Sequence, residues 1–291
     1  MNLSRRHFLA TSSTAALAST LPGVAAAADE RFTIGLSMYS LRALIKEGSL
    51  TALDYPAFAA EQFGIHEIDV WEGGLPKDKL DDLDYISQLK AKAEAQKSHI
   101  FLWMSGALNA DPKQSNLETI KASLPRAKAA GSELVRVFLR APGKDAVAGA
   151  AASVEALKPL ADASAEHDLT IAIEPGSSEL SQKGAFLVEV MEQLKHPHCK
   201  LMPDFGKQKG NVYDGTQVMM PHTVSVSCKM HSFDEEGNQP DFDYPRLLKI
   251  IADGGYQGIL AIEWEGSKLK PIPGVKASKA LIEKSIAALQ A

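Results

Sequence analysis

The chain has 291 residues, a net charge of −5 and two cysteines. That balance argues against a sequence-independent nucleic-acid binder, which needs a basic face to meet the phosphate backbone. Two cysteines also exclude a disulfide-stapled scaffold, since such folds hold a small domain together with several bridges.

The first segment, "SRRHFLA" at 4–10, carries twin arginines, Arg5 and Arg6, followed by an uncharged Ala/Ser/Thr-rich run to about residue 28. This reads as a Tat export signal with an Ala-x-Ala cleavage site after Ala28. Export to the periplasm through the Tat machinery is the expectation, and the run is too weakly apolar for a membrane span. No stable span is expected in residues 29–291. Removing Arg5 and Arg6 takes the charge from −5 to −7. The exported compartment permits a Cys199–Cys228 bridge without requiring it.

From residue 29 onward one pattern recurs eight times: a short apolar, β-branched run, turn residues, then an Ala/Leu/Lys/Glu helix. The runs are "FTIGLSMYS" (32–40), "IHEIDVW" (65–71), "HIFLWMS" (99–105), "LVRVFLR" (134–140), "LTIAIE" (169–174), "CKLMPD" (199–204), "TVSVSCKMH" (223–231) and "GILAIEW" (258–264). Amphipathic stretches such as 82–96 and 151–168 lie between them. Strands alternating with helices at this spacing indicate a parallel sheet, and eight units in 29–291 indicate a single (β/α)8 TIM barrel. An open doubly wound sheet is the alternative, but "SMYSLRAL" after the first strand holds no glycine for a phosphate-binding turn. The longest non-helical insertion, 230–245, is a candidate lid after strand seven.

In such a barrel the chemistry sits where strands end. Strand five ends on Glu174, strand six on Asp204, strand seven on His231 and strand eight on Glu263. Alternation puts Thr170, Ala172 and Glu174 on one face, Ile259, Ala261 and Glu263 on another, and Ser225, Ser227, Lys229 and His231 on a third. Converging buried acids repel one another and lose hydration, at several kcal/mol per ion on a rough scale, unless a cation joins them. A divalent metal resolves that cost. His66 and His99 start strands two and three at the far end and read as structural, while Glu179 and Glu265 read as loop or supporting acids.

The segments "AIEPG", "LMPDFG" and "DYPRLLKIIADGGYQGILAIEWEG" and the strand spacing resemble the xylose isomerase-like TIM barrels, the sugar phosphate isomerase/epimerase group. The resemblance covers essentially all of residues 29–291. It implies that Glu174, Asp204 and Glu263 bind one divalent metal, with a strand-seven histidine as fourth ligand, and that the two glutamates act as acid and base on a sugar. Strand seven departs from the His-x-His-x-Lys of many relatives: aligned on Lys229, Ser225 and Ser227 stand where the histidines would be. His231, on the same face, is the expected nitrogen ligand, with Lys229 as a substrate-binding cation. Mn2+ is the first choice of ion on ligand hardness, with Co2+, Mg2+, Fe2+ and Zn2+ as alternatives. Tyr39, Arg42, Trp71, Trp103, Arg140 and Lys207, which follow or end the strands, are further substrate-binding candidates. The implied function is a metal-dependent isomerase or epimerase that moves a proton next to a sugar carbonyl through an enediolate. Lyase or hydratase action on a 3-keto sugar, or an exported sugar-binding barrel without turnover, are the alternatives. The endonuclease branch of the same group uses several strand-end histidines; this chain has one, which argues against a nuclease.

Overall fold

A computed structural model describes residues 30–290; the export-signal reading of residues 1–28 lies outside them. Eight parallel strands form the sheet: β1 (Phe32–Leu36), β2 (Glu67–Trp71), β3 (His99–Asn109), β4 (Leu134–Arg140), β5 (Thr170–Glu174), β6 (Cys199–Leu201), β7 (Val226–Met230) and β8 (Gly258–Trp264). Their order is β6-β5-β4-β3-β2-β1-β8-β7, every pairing parallel. The ends of this ribbon meet through bridges Leu201–Thr223 and Asp204–Ser227, with Val224 N–H donating to Leu201 O and Ser227 N–H to Pro203 O, so the sheet closes into a (β/α)8 barrel.

The expected helices are present: Leu83–Ala95 falls inside 82–96, and Ala146–Glu166 extends the 151–168 stretch toward its Asp145 cap, whose carboxylate accepts from Ala148 N–H. The outward faces of the strands, such as Val135, Val137, Ile171, Ile173, Leu260 and Ile262, are buried against these helices. A smaller apolar cluster, including Phe101, Leu102, Met104, Ala172, Met202 and Ala261, fills the barrel interior.

Several strand boundaries differ from the sequence expectation: β2, β5 and β7 are trimmed by one to three residues at their ends, and β1, β3 and β6 differ at their C-terminal ends. β1 stops at Leu36 because the Ser37 hydroxyl accepts from Tyr39 N–H and starts a 3-10 turn, Met38–Leu41. β3 runs on to Asn109, beyond the expected 105. β6 is three residues long, since Pro203 has no N–H to continue the ladder. Cys199 and Cys228 are both buried and free, so no disulfide joins them.

Candidate active site

The carboxylates of Glu174, Asp204 and Glu263 converge, with ligand oxygens within 4.8 Å of one another. Each ends or follows a short strand whose inward positions beneath it are small or polar: Ala172 under Glu174, Ala261 under Glu263, and Ser227 bridged to Asp204. Buried β-branched residues on the outward face fix the strand register, so the acids are delivered inward by parity.

Asp204 is held most firmly. Its Oδ1 accepts from Gly206 N–H and Lys207 N–H, both at 2.8 Å, and Oδ2 accepts from the Ser227 hydroxyl at 2.8 Å. Burial opposes its ionisation, but the Lys229 ammonium, 3.1 Å away, and these hydrogen bonds win and hold its carboxyl below the usual range. Glu263 is pushed the other way, burial outweighing Lys229 at 3.3 Å. Ser227 Oγ lies 2.7 Å from Glu263 Oε2 as well. A hydroxyl has one proton to donate, so Asp204 and Glu263 cannot both receive it. Ser227 thus bridges the two carboxyls, which share a single hydroxyl proton.

Glu174 is 1% exposed, and neither of its oxygens has a hydrogen-bond partner. Arg136 Nε lies 3.0 Å from Oε2 but outside hydrogen-bond geometry, and this nitrogen is unpartnered too. Burial therefore prevails over the guanidinium and raises the Glu174 carboxyl well above its ordinary value.

Lys229 is 1% exposed, and its ammonium touches Asp204, Glu263 and, at 2.6 Å, Glu265. Burial works against this charge, and the surrounding carboxylates more than offset it. The same ammonium holds Glu265 low against its partial burial.

Above the cluster opens a cavity of about 320 Å3, lined by Tyr39, Trp71, Met104, Arg136, Phe138, Lys207, Glu263 and Glu265, among others. Tyr39 and Trp71 meet edge to face at 4.9 Å, and the Arg136 guanidinium lies 4.2 Å over the Phe138 ring. Three aromatic rings thus face a floor of carboxylates. That is the wall and floor a sugar uses, with C–H faces on rings and hydroxyls on charged groups.

Several expected site residues stand elsewhere. Arg42 stacks on Tyr39 and donates to the carbonyls of Tyr39, Trp264 and Glu265, so it braces loops instead of facing the cavity. Trp103 is fully buried on the outward face of β3, donating from Nε1 to Glu72, and is a core residue. Arg140 is exposed at the end of β4 and is not among the lining residues. His231 is half-buried beyond β7, with Cε1 3.0 Å from where a Cβ on Gly206 would sit, and falls outside the carboxylate group. Lys207 and Tyr39 line the cavity as expected, but Lys229 lies among the carboxylates instead of in the lining.

Two residues went unread in the sequence. Arg136 shares its face with Phe138 and Arg140, and the signal was that parity; the inward turn comes four residues before the strand end. Asp69 is the buried acid inside "EIDVW": Oδ1 accepts from Met38 N–H at 2.8 Å, Oδ2 has no partner, and burial pushes its carboxyl up to about 8.

The donor set fits a divalent ion. Three buried carboxylates and Glu265 face Arg136 and Lys229, leaving negative charge in excess among the described residues, and both Glu174 oxygens are orphaned. Protonation of Glu174 and Glu263 relieves the excess in one way, and a hard cation would relieve it in another.

A closed parallel barrel with acids converging at the C-terminal ends of its strands defines a (β/α)8 barrel with its candidate site at the C-terminal face. The model of the xylose isomerase-like TIM barrel family matches residues 57–291, and the chain belongs to that family. Among solved structures it is similar to D-allulose 3-epimerase from Methylomonas sp., at 14% identity and a TM-score of 0.68 over 89% of this chain and 99% of the other. It is also similar to 3-keto-D-glucoside 4-epimerase from E. coli, at 14% identity and a TM-score of 0.66 over 87% of this chain and 99% of the other. A curated relative, the C-glycoside deglycosidase alpha subunit of Arthrobacter globiformis, is 36% identical over 74 residues, which span 23% of this chain and 21% of that protein.

Proposed function

We propose that this protein is a sugar isomerase or epimerase that moves a proton at a carbon next to a carbonyl. The observation that carries this reading is the convergence of the buried Glu174, Asp204 and Glu263 carboxyls within 4.8 Å at a cavity that Glu263 lines, with burial raising Glu174 and Glu263 while Lys229 lowers Asp204 and Glu265. Pairs of acids pushed apart in this way are how one site keeps both a proton donor and a fixed anion. Glu263 lines the cavity and is placed to exchange a proton with a bound sugar. Glu174 lies against Arg136 on the neighbouring strand and would serve as the second proton-transfer group once the guanidinium turns to the substrate. Arg136 then stabilises the negative charge that develops on the sugar oxygen in the enediolate. Tyr39, Trp71 and Phe138 orient the ring. A divalent ion held by Glu174, Asp204 and Glu263, Mn2+ as first choice, would supply a Lewis acid for the carbonyl.

The C-glycoside deglycosidase relative favours a second reading, elimination from a 3-keto glycoside, which begins with the same proton removal. One experiment tests both. Turnover of 3-keto glucosides and free ketoses in D2O should place deuterium on one carbon beside the carbonyl; epimer as product supports the first reading and an unsaturated sugar the second. Glu174→Gln and Glu263→Gln should each slow turnover by roughly 10²-fold or more, the scale of losing a general base. Deuterium-free sugars after long incubation with every candidate would leave a binding barrel without turnover. Periplasmic localisation is inferred from Arg5 and Arg6 and the uncharged run that follows them.

A further inference from the structure

The position of Lys229 is unusual for a lysine. Its ammonium contacts two of the three carboxylates that could hold an ion, at 3.1 Å from Asp204 Oδ2 and 3.3 Å from Glu263 Oε2. The Ser227 hydroxyl, two residues back on the same face, reaches the same two oxygens at 2.8 and 2.7 Å. Each oxygen therefore meets a cation and a hydroxyl, the kind of contact that a metal ion and its bound water would make. The lysine stem is fixed by packing: a Cβ on Gly206 would come within 2.7 Å of Lys229 Cδ and 3.0 Å of Cγ, so only glycine leaves room for it there. The Tyr244 hydroxyl donates to Lys229 O at 2.8 Å and pins the strand. The shortest contact of the ammonium, 2.6 Å to Glu265, is with a carboxylate outside the triad.

We propose that Lys229 is an internal counter-cation that competes with a divalent ion for Asp204 and Glu263, with Glu265 as its alternative partner, and so sets the metal affinity of the site. This rests on the reading that Glu174, Asp204 and Glu263 take such an ion. When an ion enters, Lys229 gives up the two triad oxygens and keeps Glu265. Two like charges on shared oxygens repel, so every contact Lys229 keeps with the triad weakens the ion's hold. Empty, the site is charge-compensated by the protein's own side chain, and folding does not wait on metal.

The test is calorimetric titration of Mn2+ into the full chain and its variants, read beside thermal unfolding without metal. Lys229→Met keeps the length of the stem and removes the charge. It should bind Mn2+ at least tenfold tighter than the unaltered protein, melt lower without metal, and gain more on adding it. A lysine with a purely structural role would give weaker binding on removal, so unchanged or weaker binding by Lys229→Met overturns the proposal. Glu265→Gln, which takes away the alternative partner, should weaken Mn2+ binding, and this effect should largely disappear in the Lys229→Met background, as expected of coupled residues. Should Lys229→Met fail to fold without metal, the Glu265→Gln and Lys229→Arg variants decide: weakened binding in Glu265→Gln with near-normal binding in Lys229→Arg supports competition, and normal binding in both overturns it. No Mn2+ or Mg2+ binding by any variant removes the metal reading beneath the proposal, whereas equal affinity throughout removes the competition alone.

Discussion

Arg136 and Glu174 face each other across neighbouring strands with Nε and Oε2 3.0 Å apart, both side chains buried and neither atom satisfied by a hydrogen bond. The pair is a close electrostatic contact without the directional bonding that normally compensates burial. Removing the arginine alone strands a carboxyl in the interior. Arg136→Met should therefore lower stability, on the scale of about 3 kcal/mol for breaking a buried pair. Adding Glu174→Gln should recover part of that loss, because both charges then leave together. Denaturant melts of the two singles and the double check this; a double variant no better than Arg136→Met would show that the guanidinium acts through Ser105, whose carbonyl it also bonds at 2.9 Å.

Asp69 makes stability depend on pH. Burial raises its carboxyl from 3.8 to about 8, so between those values the folded chain holds a proton that the unfolded chain has lost. Its contribution is full below about pH 4 and is lost as pH climbs toward 8, with a slope of up to about 1.4 kcal/mol per pH unit. Asp69→Asn keeps an oxygen for Met38 N–H and cannot ionise. The variant should melt less steeply with rising pH than the unaltered protein between pH 5 and 8, and parallel curves would exclude Asp69 as the cause.

The three triad carboxylates offer oxygen donors alone, which suits harder ions such as Mn2+ and Mg2+. After chelation, Mn2+ at about 100 times its dissociation constant should stabilise the protein by about 2.7 kcal/mol. Asp204→Asn should reduce that gain. A melting temperature indifferent to Mn2+, Mg2+, Co2+, Fe2+ and Zn2+ would remove the ion from the site.

Export is tested in cells. Replacing Arg5 and Arg6 with lysine should leave the protein in the cytoplasm, since the twin arginines are the addressed feature. Unchanged periplasmic accumulation would contradict the signal reading.

Glu174, Asp204 and Glu263 were legible because parity in a buried parallel strand has two values, and the outward apolar residues settle which one is inward. The barrel followed from the spacing of the eight runs. Arg140 was misplaced for the complementary reason: parity says which face a residue takes but not how high on the strand the interior opens, and on β4 it opens at Arg136. Trp103 has the opposite parity to the inward-facing Met104, which the register with Arg136 confirms. Arg42 was unreadable because its partners, the carbonyls of Trp264 and Glu265, lie more than two hundred residues away. Asp69 was hidden by its apolar neighbours, and Lys229, read as an inward-facing cation for substrate, has its ammonium against the carboxylates, a pairing that parity alone does not show.

The weakest join in the barrel lies between β6 and β7, where a three-residue strand meets its neighbour through two isolated bridges. One of those bridges is Asp204–Ser227, inside the carboxylate cluster. The hoop of strands is thus fastened by the same residues that would grip an ion or a substrate. Whatever draws Asp204, Ser227 and Glu263 together also tightens the clasp of the whole cylinder, so occupancy of the floor would be felt as rigidity around the full circumference.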